Sequence, residues 1–221
     1  MKIIHAALLA LALPLLALAT ESARIERDLG QGLAYARVHS LPADLPAAPA
    51  RLGALVLDLR YALSSSDGVT TLGAWLKFRA SARTPVFVLV NSGTAPAVLE
   101  FLETADPMPG LLTLGAASSK FVPDVTLRVS AATERAAYDA LEHGTPVATL
   151  LTDNPTKPRH DEAEIAQEHA APSAGSDDDE TGPEESVSAS PALPAPPPPL
   201  IDTTLQRAVH LHRALLALKK I

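Results

Sequence analysis

The chain has no cysteine among its 221 residues. This absence excludes a disulfide framework, a thiolate nucleophile, cysteine ligands for a metal and a lipid-modified cysteine beside an export signal. Aromatic residues are also scarce, at 4%, and no basic patch is interleaved with them, so no nucleic-acid partner is expected. The sequence does contain 47% apolar residues, which is enough for one domain of ordinary size with its own core.

Negative charge is confined to one part of the chain. The formal net charge is −7, but residues 161–186 hold ten acidic residues and no Lys or Arg, which leaves 15 acids against 18 bases elsewhere. The surrounding region 154–200 also contains ten of the twenty prolines. Such a composition buries too little apolar surface to offset the entropy of ordering. We therefore expect a disordered linker over 154–200, which acts as a spacer or as a PxxP-type ligand for a partner domain.

The N-terminus has the pattern of an export signal. Lys2 precedes an apolar run over 6–19, and the last three residues of this run provide the small-x-small pattern that a signal peptidase cuts after. The run is short for a bilayer span and contains a proline; an uncleaved anchor is the alternative. We expect a signal peptide at 1–19, cleavage after Ala19, and a periplasmic or secreted mature protein without stable membrane insertion.

The region 20–153 alternates the patterns of buried strands and helices. Apolar runs predict six strands, at 32–41, 52–60, 85–90, 111–114, 125–129 and 146–151. Helical spacing predicts helices that begin behind Thr70 and Thr71, at Ala95 and at Ala131. Strands separated by single helices imply right-handed crossovers. The sequence therefore predicts an α/β domain with a mainly parallel sheet and flanking helices.

Two further features complete this outline. Asp58 and Arg60 end the strand predicted at 52–60, so we expect them to form an ion pair at the carboxyl edge of the sheet. Residues 201–221 predict a C-terminal helix with Asp202 as its N-cap. The apolar side of this helix, which includes Leu205, needs a packing partner, and the α/β domain is the simplest one.

The sequence contains two strand motifs in the order in which a known family has them, and it resembles that family. ALVLDLR, at 54–60, is followed by a small-residue loop, and PVFVLVNSGTA, at 85–95, leads into a helix. Together they resemble the core of the S41 serine peptidases, the tail-specific or C-terminal processing proteases. The helix that begins at Asp202 is similar to the one that often closes those chains. The resemblance implies a ClpP/crotonase-like fold.

The same resemblance implies which positions would carry the chemistry. In the family, the residue after a Thr/Ser-Ala pair is the nucleophile, and a lysine further along the chain is its base. Asn91, Thr94 and Ala95 match the pattern, but the nucleophile position is Pro96, whose side chain has no atom that can attack a carbonyl. Lys120 lies near the position of the base, as a relic base or as an ordinary surface lysine.

Serines near these positions supply the remaining candidates. The two glycines that follow LDLR in the family, and help to form an oxyanion hole, align with Ser64 and Ser65, whose side chains restrict the backbone. Ser92 and the run Ser64 to Ser66 are alternative nucleophiles. The proline suits the first turn of a helix capped by Thr94, because the helix does not use an N–H at that place.

Three functions are compatible with these features. The first is a non-catalytic exported S41-like protein whose cleft, with Ser64, Ser65, Asn91, Thr94 and Ala95, binds a peptide or a protein partner. The second is an active serine-type peptidase with a relocated nucleophile. The third is an adaptor that acts through its acidic, proline-rich segment. The sequence contains no P-loop, dinucleotide-binding turn or metal-ligand spacing, so no cofactor and no metal are expected.

Overall fold

A computed structural model describes residues 25–47, 53–152 and 199–221. The predicted signal peptide and nearly all of the predicted linker lie outside the described residues. The described strands are β1 (Glu26–Asp28), β2 (Leu33–Arg37), β3 (Ser40–Leu41), β4 (Ala54–Asp58), β5 (Leu63–Ser64), β6 (Val86–Val90), β7 (Leu111–Gly115) and β8 (Val125–Thr126). The described helices are α1 (Ser66–Arg79), α2 (Pro96–Thr104), α3 (Ala131–Glu142), α4 (Val147–Leu150) and α5 (Thr203–Ala217).

Six of these strands form one twisted layer in the order β1-β2-β4-β6-β7-β8. Every neighbouring pair in this sheet is parallel except β1 with β2. The central strands β4 and β6 are buried at every position, because helices cover both faces of the sheet. The predicted α/β class with a mainly parallel sheet is confirmed. The short strands β3 and β5 pair in parallel beside this sheet.

The two faces of the sheet carry separate apolar layers. Successive residues of β4 point to opposite faces: Leu55 and Leu57 pack with α1 and α2, whereas Val56 packs with α3, α4 and α5. Helix α5 contributes the buried residues Leu205 and Val209 to the second layer. The C-terminal helix is therefore part of the α/β body. In the described parts of the chain, no helix is long and apolar enough to cross a membrane.

One strand prediction is wrong, and another predicts a strand that is too long. The run at 146–151 forms the short helix α4, in which Leu150 is buried and its neighbours Ala148 and Thr149 are exposed. A short apolar run does not distinguish a strand from a helix by periodicity, and Pro146 directly before α4 is preset for a helix start. The run at 125–129 pairs only at Val125–Thr126.

The start of α1 also differs from the prediction. The helix begins at Ser66, and the hydroxyl of Ser65 caps it by accepting a hydrogen bond from the Gly68 N–H, at 3.2 Å. Thr70 and Thr71 lie inside the helix, where their hydroxyls donate to backbone carbonyls one turn earlier. Ser65 caps more effectively because its cap leaves Asp67 in the first turn, where a negative charge complements the helix dipole.

Candidate functional site at the carboxyl edge of the sheet

The turn that follows β6 is shaped by its own polar side chains. The Asn91 N–H donates to the Thr94 hydroxyl at 3.1 Å, and this hydroxyl donates to the Leu59 carbonyl at 2.9 Å. The Asn91 side-chain oxygen accepts from the Gly93 N–H at 2.9 Å. Asn91 and Thr94 are both buried. Their polar atoms therefore hold the turn in place and are not presented at the surface.

Helix α2 begins immediately after this turn. Its N-cap is Ala95, which makes no side-chain capping bond, and Pro96 occupies the first helical turn. The prediction that Thr94 caps the helix is wrong, because the Thr94 hydroxyl is used by the backbone of Asn91 and Leu59. The placement of Pro96 at the helix start is confirmed, and its missing N–H leaves no bond of α2 unmade.

The serines considered as nucleophiles have mostly local partners. The Ser64 hydroxyl donates to the Ser65 carbonyl at 2.9 Å, and the Ser65 hydroxyl caps α1. Ser66 is the first residue of α1, and Ser92 is exposed in the turn after β6. Among the described residues, none of these four hydroxyls bonds to a His, a Lys or a carboxylate. The nucleophile–base pair that activates a serine is therefore not found in this part of the chain.

Lys120 lies in the turn between β7 and β8, and it is exposed. Its backbone N–H donates to the Ser118 hydroxyl at 3.3 Å. Within the described residues its ammonium group has no carboxylate partner. A general base needs hydrogen-bond contact with the group that it deprotonates, and the contacts of Lys120 provide none.

A cluster of buried polar and charged side chains lies at the end of β4. We use the name charged cluster for a group of six buried side chains: Tyr35, Arg37, Asp58, Arg60, Glu134 and Asp202. Arg60 is its centre, since Nη2 donates to Asp58 Oδ2 at 2.7 Å and to Asp202 Oδ2 at 2.8 Å. The expected Asp58–Arg60 ion pair is therefore present. Asp202 also accepts from the Leu205 N–H at 3.0 Å and so caps α5.

The remaining members extend the charged cluster to β2 and α3. The Tyr35 hydroxyl donates to Asp58 Oδ2 at 2.7 Å and accepts from Arg37 Nε at 3.0 Å. Glu134, on α3, lies 3.9 Å from Arg60 Nη1 and accepts from the Asn91 amide at 3.1 Å. Through Glu134 the charged cluster is bonded to the turn after β6.

The electrostatics of the charged cluster favour its ionised form. Burial alone would raise the pKa of Asp58, but the cations of Arg60 and Arg37 outweigh burial and hold this pKa below its ordinary value. Burial would lower the pKa of Arg60, but the carboxylates of Asp202 and Asp58 raise it well above its ordinary value. Burial, and then the charge of Asp58, raise the pKa of Tyr35. At neutral pH, Asp58 and Arg60 are thus fixed charges, and Tyr35 is a neutral phenol.

An aromatic surface lies between the two turns. Tyr61 has a φ of 60°, a left-handed conformation that is rare for a bulky side chain and costs on the order of 1–3 kcal/mol. Its ring covers Gly93 so closely that a Cβ added there would lie 2.4 Å from the ring. The ring also meets the edge of Tyr138, with centroids 4.8 Å apart, and the guanidinium of Arg135 stacks 4.6 Å from its centroid.

Only part of this arrangement is predictable from the sequence. The positions of Asp58 and Arg60 indicate their ion pair, but Asp202 is predicted only as a helix cap. Arg60 lies 142 residues from Asp202 along the chain, and Asn91 lies 43 residues from Glu134. Only one local signal pointed to the wider cluster: charged residues that directly follow a fully apolar strand need buried partners.

Among the described residues, the groups wholly or partly exposed near the two turns include polar, aromatic and cationic ones. Tyr61, Ser92, Gly93 and Arg135 present an aromatic face, a hydroxyl and a cation toward solvent. In the described ranges, no group of three or more His, Cys, Asp or Glu side chains is arranged to hold a metal ion. Neither the scan against protein-family models nor the search of curated proteins finds a match for this chain.

Proposed function

We propose that the chain is an exported, non-catalytic protein related to the S41 peptidases, with a ClpP/crotonase-like core that binds a peptide or a protein partner. One observation carries the proposal. The residue at the position of the family's nucleophile is Pro96, and it serves as the first residue of α2. A cyclic side chain of carbon atoms cannot form an acyl intermediate. The turn is therefore kept for its shape.

The surface around Tyr61 is the proposed binding site. Leu63, two residues after Tyr61, is 70% exposed, and the exposed guanidinium of Arg135 stacks on the ring of Tyr61. Aromatic and arginine side chains supply most of the binding energy in protein interfaces. The strained backbone of Tyr61 is consistent with a ligand-contacting role, because such strain is concentrated at functional sites.

The absence of catalysis is tested first. The wild-type chain should not cleave any member of a peptide library with mixed termini. Pro96→Ser should stay inactive, since the chain at Ser64 and Ser65 would still lack the glycines that the family places there. The triple variant Pro96→Ser/Ser64→Gly/Ser65→Gly is the matched comparison. Turnover by wild type, lost when Ser92 or one of Ser64 to Ser66 is replaced by alanine, would instead establish a peptidase with a relocated nucleophile.

Binding is tested by selection from a peptide display library. Tyr61→Ala and Arg135→Ala should each lower the affinity for the selected peptides by about tenfold or more, as expected for interface residues of these types. Phe78→Ala and Arg83→Ala are the matched controls, because they remove an exposed ring and an exposed cation elsewhere. Equal affinity for all four variants would contradict a site at Tyr61.

A second candidate function, an adaptor that acts through the acidic and proline-rich segment, is favoured by a specific observation. The Asp202 N–H donates to the Leu150 carbonyl at 2.9 Å, and the Gln206 amide donates to the Thr152 carbonyl at 2.6 Å. Both ends of the segment 153–198 are therefore fixed to the same body, so it does not connect two separate domains. Deletion of 161–199 should abolish partner capture if the adaptor role holds, and should leave capture unchanged if the site at Tyr61 binds.

A further inference from the structure

Helix α5 and the residues after it carry charge of one sign. Residues 203–221 contain the cations Arg207, Arg213, Lys219 and Lys220 and no Asp or Glu. Arg207, Lys219 and Lys220 are exposed. None of these three is paired with a carboxylate of the described ranges. We use the name basic face for Arg207, Lys219 and Lys220.

The segment of opposite charge leaves the described structure beside this helix. Thr152, the last described residue before the segment 153–198, accepts a hydrogen bond from Gln206, which directly precedes Arg207. The first acid of the run 161–186 follows Thr152 by nine residues, a reach of up to about 30 Å. Helix α5 has 15 residues and is about 22 Å long. Every cation of the basic face is therefore within reach of the acidic run.

We propose that the basic face of α5 binds the chain's own acidic run, residues 161–186. The run has ten carboxylates and no cation, whereas residues 203–221 carry the three exposed cations of the basic face and no acid. Because both ends of the segment are fixed near the first turn of α5, the association is intramolecular and has a high effective concentration. Single exposed ion pairs contribute little, so the association depends on several charges together and weakens as salt screens them.

The test uses the absence of cysteine. A nitroxide spin label is attached to Ser176→Cys in the full chain, and broadening of amide NMR signals is measured at 20 mM and 500 mM NaCl. At low salt, amides from Leu211 to Lys220 should lose at least half of their intensity relative to the reduced label. At high salt, most of this intensity should return. Broadening spread evenly over the surface, or equal at both salts, would overturn the proposal.

Variants in which charged residues are replaced by neutral ones make the test specific. Arg207→Gln/Lys219→Gln/Lys220→Gln should remove the broadening of α5, whereas the control Lys77→Gln/Arg83→Gln/Lys120→Gln, with the same change in charge elsewhere, should retain it. Neutralising Asp177, Asp178, Asp179 and Glu180 should also remove it, and this variant changes no residue of α5. Persistent broadening in the variants of either partner would contradict the inference.

A second copy of the chain is the competing occupant. It is tested with a mixture of spin-labelled chain at natural isotope abundance and unlabelled ¹⁵N chain. The proposal predicts undiminished signals of α5 in this mixture, because the contact is made within one chain. Broadening in the mixture would assign the basic face to a neighbouring molecule and would overturn the intramolecular assignment.

Discussion

Two turns at the same edge of the sheet, one after β4 and one after β6, are built in different ways. The turn after β4 is held by ionised side chains, with Asp58 and Arg60 fully buried, and it forces Tyr61 into a left-handed conformation. The turn after β6 is held mainly by hydrogen bonds of Asn91 and Thr94 to nearby backbone, and the Asn91 amide also donates to Glu134 of the charged cluster.

The two turns differ in the reactive and ionisable groups that they carry. The turn after β6 leads into α2 through Pro96, whose side chain has no reactive atom. The turn after β4 is rich in ionisable groups, and these groups bind Asp202 and thereby fix α5 to the sheet. The ionised side chains at this edge thus hold the C-terminal helix in place.

Replacing Arg60 tests how much the charged cluster after β4 stabilises the fold. Arg60→Met leaves the buried Asp202 without the cation that binds it. It also removes the nearer of the two cations beside Asp58, since Arg37 lies 4.0 Å from that carboxylate. Such a loss costs about 3–5 kcal/mol. We expect a decrease of this size in the free energy of unfolding by urea, together with faster amide hydrogen exchange in α5. Arg135→Met is the control, because the ion pair of Arg135 with Asp139 is exposed to solvent and contributes little to stability. A loss below 1 kcal/mol for Arg60→Met would show that the charged cluster does not hold α5.

Filling Gly93 tests the contact between the two turns. In Gly93→Ala the new Cβ meets the ring of Tyr61, and overpacking of this kind costs about 1–3 kcal/mol. The double variant Tyr61→Ala/Gly93→Ala should be more stable than expected from the two single changes, because the ring that collides is gone. Strict additivity in urea unfolding would mean that the turns do not press on each other through Tyr61.

Alkaline pH should destabilise the packing around the turn after β4 before it affects the turn after β6. Burial, and then the charge of Asp58, raise the pKa of Tyr138 to about 12. A raised pKa means that the neutral phenol stabilises the fold below pH 10, and that this stabilisation is lost as pH rises from about 10 toward 12. Tyr138→Phe should reduce the slope of unfolding free energy against pH in this window. An unchanged slope would contradict the assignment.

Replacing Pro96 should have the smallest effect. Pro96→Ala restores an N–H that the first helical turn does not use and removes a preset φ, so we expect destabilisation of about 0.4–1 kcal/mol. Ala97→Ser, on the next exposed position of α2, is a control for a change at this helix start. A loss above 2 kcal/mol would indicate that the proline is needed for more than the start of α2.

Sequence patterns predict the layers of this fold better than its site. Apolar runs locate β4, β6 and β7 because burial on both faces leaves a local signal in each strand. They miss β1, since Glu26–Asp28 is a charged strand at the edge and is fully exposed. The partners of Arg60 and Asn91 come from distant parts of the chain, and the conformation of Tyr61 depends on that packing. No local pattern contains this information.

The central claim is that the carboxyl edge of the sheet has no activated nucleophile, and covalent labelling tests it most directly. Purified chain is incubated with a serine-directed fluorophosphonate, and its intact mass is measured. The account predicts an unmodified mass for the wild type, even at high reagent concentration and long incubation. A stoichiometric adduct on Ser64, Ser65, Ser66 or Ser92, prevented by replacing that serine with alanine, would contradict it.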